Sequence, residues 1–223
     1  MNIQTKEYDT FKDFYSDISL YGLLHAELKN FIFRGESTGT YELLPSALRE
    51  DNIDKLFRAS KLPENQWNWE YCQQTAEHKL LRNFFMISNN NGLKVPDVKV
   101  LFNDYYDFFP AKFFNEYREW LPTELSELAA LAQHYGVLTR LLDWSFDINA
   151  AIYFASLGAC KRKKNNNEKE NDVMVIWALN FRQIELLRTT TKNIPIRFVV
   201  PTYKDNPNLN AQKGILSYIR KKK

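Results

Sequence analysis

Thirteen consecutive residues, Gln133-His134-Tyr135-Gly136-Val137-Leu138-Thr139-Arg140-Leu141-Leu142-Asp143-Trp144-Ser145, hold an imidazole, a phenol, a guanidinium and a carboxylate. Those are the groups that move protons, grip anions and stabilise developing charge. Gly136 ends a helix there, Arg140 and Asp143 follow within a few residues, and Ser145 opens a second helix whose free backbone N–H groups favour an anion. Two readings stand: charge converges on a ligand, or Arg140 and Asp143 form an internal ion pair while His134 caps the helix end.

Arg34 is the other group of this kind. It follows the apolar run Phe31-Ile32-Phe33 and precedes Gly35, which permits close approach of a ligand or a second backbone. An Arg so placed grips a phosphate or carboxylate in two-pronged fashion, or pairs with an acid such as Glu77 or Asp143. Arg34, His134, Arg140 and Asp143 are expected to share one cleft, although more than a hundred residues separate the first from the rest.

The elements that must position these groups are read from periodicity. Apolar residues at three- and four-residue steps predict a helix over 10–30 with Thr10 as N-cap, and another over 64–87 stopped by Asn89-Asn90-Asn91-Gly92. Further helices are expected over 98–109 and 123–135, the latter capped by Thr123 and ended by Gly136. A last one follows Ser145, with Ile148, Ile152 and Ala155 on one face. Phe31-Ile32-Phe33, ended by Gly35, reads as a short buried strand; 173–177, 196–200 and 215–219 read as three more. Helices dominate the first two-thirds and strands the last third. The expected fold is α+β, a helix-rich first part packed on a small, mostly antiparallel sheet formed largely by the C-terminal third.

Composition narrows the function classes. With 223 residues and no Gly/Pro/Ser-rich linker, the chain is expected to form one domain over 1–223, with a polar flexible loop at 161–172 and a basic tail at 221–223. A charge of +3, from 30 basic and 27 acidic residues, gives no general affinity for nucleic acid, and the runs at 161–164 and 220–223 read as solvated segments. Cys72 and Cys160 are too few for a disulfide framework, and His25, His78 and His134 lack metal-ligand spacing, so no metal is expected. With no apolar leader and no membrane-length apolar run, the expected place is the cytoplasm.

Three segments carry a resemblance to the FRG family, named for its aromatic-Arg-Gly motif. They are Phe33-Arg34-Gly35 with Leu43-Leu44-Pro45-Ser46-Ala47-Leu48-Arg49 behind it, the stretch 133–145 continuing into Ala151-Ile152-Tyr153-Phe154-Ala155, and Asn210-Ala211-Gln212-Lys213-Gly214. Where many members have Pro before the Thr-Arg pair, this chain has Leu138. The resemblance implies a protein of bacteria or phages, placed in their conflict systems.

A fainter resemblance is to ADP-ribosyltransferases, in which an early strand carries an Arg-Gly pair that binds a dinucleotide and an aromatic-rich helix lies beside the nicotinamide. It implies NAD as substrate, with no cofactor required, and ADP-ribosyl transfer to a protein acceptor or NAD hydrolysis. In that reading Arg34 and Gly35 bind pyrophosphate, and Tyr135, Arg140, Tyr153 and Gln212 complete the ligand set. His134 acts beside them, and Glu77 or Asp143 supplies the negative charge that stabilises an oxocarbenium-like centre. Gln212 stands where those enzymes usually carry a Glu, and a neutral amide supplies no such charge. The alternative is a non-catalytic domain that recognises a nucleotide or a protein with the same residues.

Overall fold

The computed structural model describes residues 3–39, 43–61, 69–103, 120–164, 173–191, 194–200 and 213–219. Among them are eight α-helices and five strands, with every described strand register antiparallel, and three of the five strands come from the C-terminal third. The class is α+β, as the periodicity predicts. The chain divides into two compact units, Met1–Gly39 with Ser145–Asn193, and Thr40–Trp144 with Ile194–Lys223.

In the first unit, α1 (Phe11–Ile18) is capped by Thr10, whose hydroxyl accepts the Asp13 N–H. The single helix expected over 10–30 is broken: a turn around Gly22 separates α1 from α2 (His25–Leu28). A Cβ on Gly22 would lie 2.2 Å from the Asp17 carbonyl oxygen, so the chain folds back there only on a glycine.

Strand β1 (Phe31–Glu36) pairs in antiparallel register with β3 (Val175–Asn180), Arg34 opposite Trp177 and Gly35 opposite Ile176. It also pairs with the end of β2 (Leu142–Ser145) through Phe33 and Ser145. Gly35 therefore does not end the strand, as expected from sequence, but lies inside it. The reason is α7 (Ile148–Lys164), which crosses β1 so closely that a Cβ on Gly35 would sit 1.8 Å from the Ala151 carbonyl oxygen. Gly158 makes the matching notch against Ser37 two turns further on, where a Cβ would lie 2.6 Å from the Ser37 Cβ. Lys161–Lys164, expected as part of a loop, continue α7; cations in a helix's last turn are favoured by its dipole. Helix α8 (Phe181–Thr190), capped by the Asn180 side chain, was not legible in the apolar spacing.

The second unit opens on a 3₁₀ turn (Ser46–Leu48) and α3 (Glu50–Ser60), also missed from sequence. Long α4 (Trp69–Asn90) and short α5 (Lys99–Asn103) follow. After a 3₁₀ turn at Thr123–Leu125 comes α6 (Ser126–His134), then β2, β4 (Ile196–Val199) and β5 (Gly214–Ile219). One apolar core joins α4, α5, α6, β4 and β5 through Phe85, Leu101, Leu128, Val199 and Leu216, and a second, of Ala47, Leu56, Phe57 and Ala76, packs the 3₁₀ turn and α3 on α4. Removing such side chains from water is the main term holding the unit together.

Candidate functional site

The segment 133–145 begins in the last turn of α6. The backbone N–H of Gly136 donates to the Gln133 carbonyl at 2.9 Å and that of Val137 to the Ala132 carbonyl at 3.0 Å, with Gly136 at φ +86°. This is a Schellman ending, which a glycine at that position allows at least cost. Those N–H groups take the last-turn carbonyls, so the capping expected of the His134 ring is done by backbone. His134 and Tyr135 are left exposed, the Tyr135 ring 5.8 Å from Phe84.

The next residues turn inward. Thr139 is locked by the segment at 46–47: its N–H donates to Ser46 Oγ at 3.2 Å, while its carbonyl accepts from Ser46 Oγ at 3.2 Å and from the Ala47 N–H at 3.0 Å. Its hydroxyl donates to Gln133 Oε1 and accepts the Leu141 N–H at 3.2 Å. The Leu-Pro-Ser-Ala-Leu segment thus serves as a clamp on the Thr-Arg pair.

Arg140 is buried, and its Nε donates to both carboxylate oxygens of Glu77 on α4, at 2.8 and 3.0 Å. The ion pair holding Arg140 is therefore to Glu77 rather than to Asp143, the partner weighed from sequence. The Trp120 indole N–H also donates to Glu77, Gln73 adds a side-chain hydrogen bond, and the Arg140 guanidinium lies 5.7 Å from the Trp120 ring. Burial pushes the Glu77 carboxyl up to about 7, against the pull of Arg140, Trp120 and Gln73. Beside it on α4, burial holds His78 down at about 4, while its Nδ1 lies 2.8 Å from the Gln74 carbonyl oxygen.

Asp143 takes the opposite side. Along β2, Leu142 and Trp144 are buried and Asp143 is exposed, as a two-residue period demands. The Trp144 indole N–H donates to Ser217 Oγ on β5 at 2.8 Å, and Gln133 Nε2 donates to Asp143 Oδ1 at 2.7 Å. The Gln133 amide so ties Asp143 to the turn of α6 that ends in His134 and Tyr135. Of the four groups expected to share a cleft, His134 and Asp143 lie at one surface of the second unit, Arg140 is turned into its core, and Arg34 belongs to the first unit.

Nor is the anion site expected at Ser145 formed as expected. Ser145 ends β2, its Oγ accepting the Asp147 N–H at 2.9 Å. Asp147 is the residue that caps α7, its Oδ1 accepting the Asn149 N–H at 2.9 Å. A carboxylate already occupies that helix start.

In the first unit, Arg34 pairs with Glu36, Nε at 2.8 Å and Nη2 at 2.7 Å from Oε1. The acids weighed from sequence were Glu77 and Asp143; the strand's own period of two, which puts residues 34 and 36 on one face, is the signal that finds Glu36. Gly35 faces α7 through Ala151, whereas Arg34 lies on the other face of β1. Tyr153, two residues past Ala151, is 60% exposed on the outer side of α7. Arg34 and Tyr153 are thus on opposite sides of the strand-helix layer. Gln212 lies outside the described residues.

Glu77, like Gln73 one turn before it, sits on a helix face shared with buried Ala76. A carboxylate on an apolar face signals a buried ion pair before it signals catalysis. Among the described residues, no group of three or more His, Cys, Asp or Glu is placed to hold a metal, and no helix is long and apolar enough to cross a membrane. No curated protein and no solved structure matches the chain. The FRG domain model matches residues 29–170, more than half of the chain, and takes in both the Arg34-Gly35 strand and the clamped Thr139-Arg140 turn. The chain therefore belongs to the FRG domain family.

Proposed function

We propose that this FRG domain binds a nucleotide carrying a cationic ring, with NAD as the ligand to test, at the surface formed by His134, Tyr135 and Asp143. The observation that carries the reading is the sign of that surface. An exposed carboxylate is held beside the C-terminal end of α6, and an exposed phenol ring adjoins it. A helix C-terminus, a carboxylate and an aromatic face all favour positive charge, and the nicotinamide ring of NAD is a pyridinium. The ligand expected at Ser145 was an anion; the polarity at the end of α6 favours the cationic end of the same molecule.

A second reading, transfer of ADP-ribose to a protein acceptor or hydrolysis of NAD, is favoured by the division of labour between the two acids. Glu77 lies in the core with Arg140 and Trp120, and Asp143, held by Gln133, is the acid exposed at this surface, the kind of group an oxocarbenium-like centre needs beside it. The test is calorimetric titration with NAD together with measurement of nicotinamide release. Tyr135→Ala is expected to weaken NAD binding by about tenfold, the size of a partly desolvated cation–π contact. If turnover occurs, Asp143→Asn abolishes nicotinamide release while leaving the fold intact. NAD that neither binds nor raises the melting temperature of the parent protein overturns the binding reading; binding without release leaves the non-catalytic form standing.

A further inference from the structure

Two surfaces of the first unit remain without a role in this reading. On α7 the inner face, Ala151 and Ala155, packs on β1, while Tyr153, Phe154 and Leu157 point outward, 60, 43 and 36% exposed. One turn further along the same helix, Lys161, Lys163 and Lys164 are exposed; Arg162 is tied back to the Ser37 carbonyl. The result is a rod with an apolar, aromatic stretch followed by a block of positive charge.

The other surface is α1 and the turn after it. Phe11 and Tyr15, one helical turn apart, stack at 5.8 Å and are each about half exposed. Tyr21 and Leu23 follow at 95 and 83% exposure, among the most exposed apolar side chains described. The charge here is of the other sign: Glu7 and Asp9 are exposed just before the helix, and Lys6 is neutralised by Asp17, which leaves Lys12 as the opposing cation within 6–12. Apolar exposure on this scale marks a contact surface, and the two surfaces are complementary in both respects, aromatic against aromatic and acidic against basic.

We infer that the α1 surface of one copy docks on the outer face of α7 of a second copy. Burial of the two apolar stretches drives the contact, and the acidic and basic blocks set its register and direction. Because the two surfaces differ, the contact is either made twice across a two-fold axis or repeated from copy to copy. Tyr153 then serves in assembly, outside the site at the end of α6.

Sedimentation velocity over a wide range of concentration tests this, with three proteins compared. In the double variant Lys161→Glu, Lys164→Glu, the α7 block becomes acidic. In the double variant Glu7→Lys, Asp9→Lys, the acidic block becomes basic while the Thr10–Asp13 cap of α1 is kept. All four positions are exposed, and circular dichroism is the check that each variant folds. The parent is expected to associate with rising concentration and each variant alone to stay monomeric. An equimolar mixture of the two variants associates again, since both of its cross-contacts regain opposite charge. A parent that is monomeric throughout, variants that associate like the parent, or a mixture that stays monomeric overturns the inference.

Discussion

The strand at 31–36 and the segment at 133–145 are both polar islands in apolar surroundings, yet they resolve in different ways. In β1 the backbone keeps one period, so Arg34 and Glu36 fall on one face and pair with each other, while Gly35 falls on the other and admits α7. In 133–145 the backbone passes from helix through a left-handed cap to strand, and no single period carries across. Its polar groups are divided: Thr139 and Arg140 go into the core, and His134, Tyr135 and Asp143 go to solvent. Where the backbone geometry changes within a cluster of functional types, the cluster is split between core and surface rather than kept on one face.

The sharpest way to break this comparison is at Arg140. If Arg140 is structural, Arg140→Met leaves Glu77 buried without its cation and is expected to cost on the order of 3–5 kcal/mol of stability, measured by urea denaturation. The double variant Arg140→Met, Glu77→Leu should recover much of that loss, because an apolar pair in place of a buried ion pair is often neutral. A loss below about 1 kcal/mol for the single change, the range of surface pairs, would return Arg140 to the candidate ligand groups.

The glycines of the two regions differ next. Gly35→Ala forces a methyl group into the Ala151 backbone and is expected to cost about 3 kcal/mol through displacement of α7. Gly136→Ala meets open space and pays only for its left-handed backbone, about 1 kcal/mol. Thermal melts of the two variants side by side should reproduce that order, and equal losses would mean that α7 does not lie as close to β1 as the structure has it.

A third contrast is in pH. Glu77, raised to about 7 from the ordinary 4.5, contributes stability that is present below about 4.5 and lost as pH rises through 7. His78, lowered to about 4 from 6.5, contributes stability that is present above about 6.5 and lost as pH falls toward 4. Between those ordinary values the two slopes oppose each other. His78→Gln removes one of them, so relative to the parent the variant should gain about 2 kcal/mol between pH 6.5 and 4.5, read from denaturant melts at a series of pH values. A constant difference across that range would show that His78 titrates as it does in the unfolded chain.

What the residues determined by themselves is local. Thr10 and Gly136 mark helix boundaries because a hydroxyl cap and a left-handed glycine are properties of a few neighbouring residues, and both stand where their types require. The strands expected at 173–177, 196–200 and 215–219 stand at 175–180, 196–199 and 214–219, because β-branched and aromatic runs between polar segments mark a strand better than they mark its ends. Tertiary structure alone decided the partners: Glu77 for Arg140 across 63 residues, Ser46 for Thr139 across 93, Ser217 for Trp144 across 73. It also decided that Gly35 serves the approach of a helix more than a hundred residues away rather than the end of a strand. Periodicity states which face a side chain takes, but which group meets it there is set by how distant segments pack, and that is where buried charge must find its counter-charge.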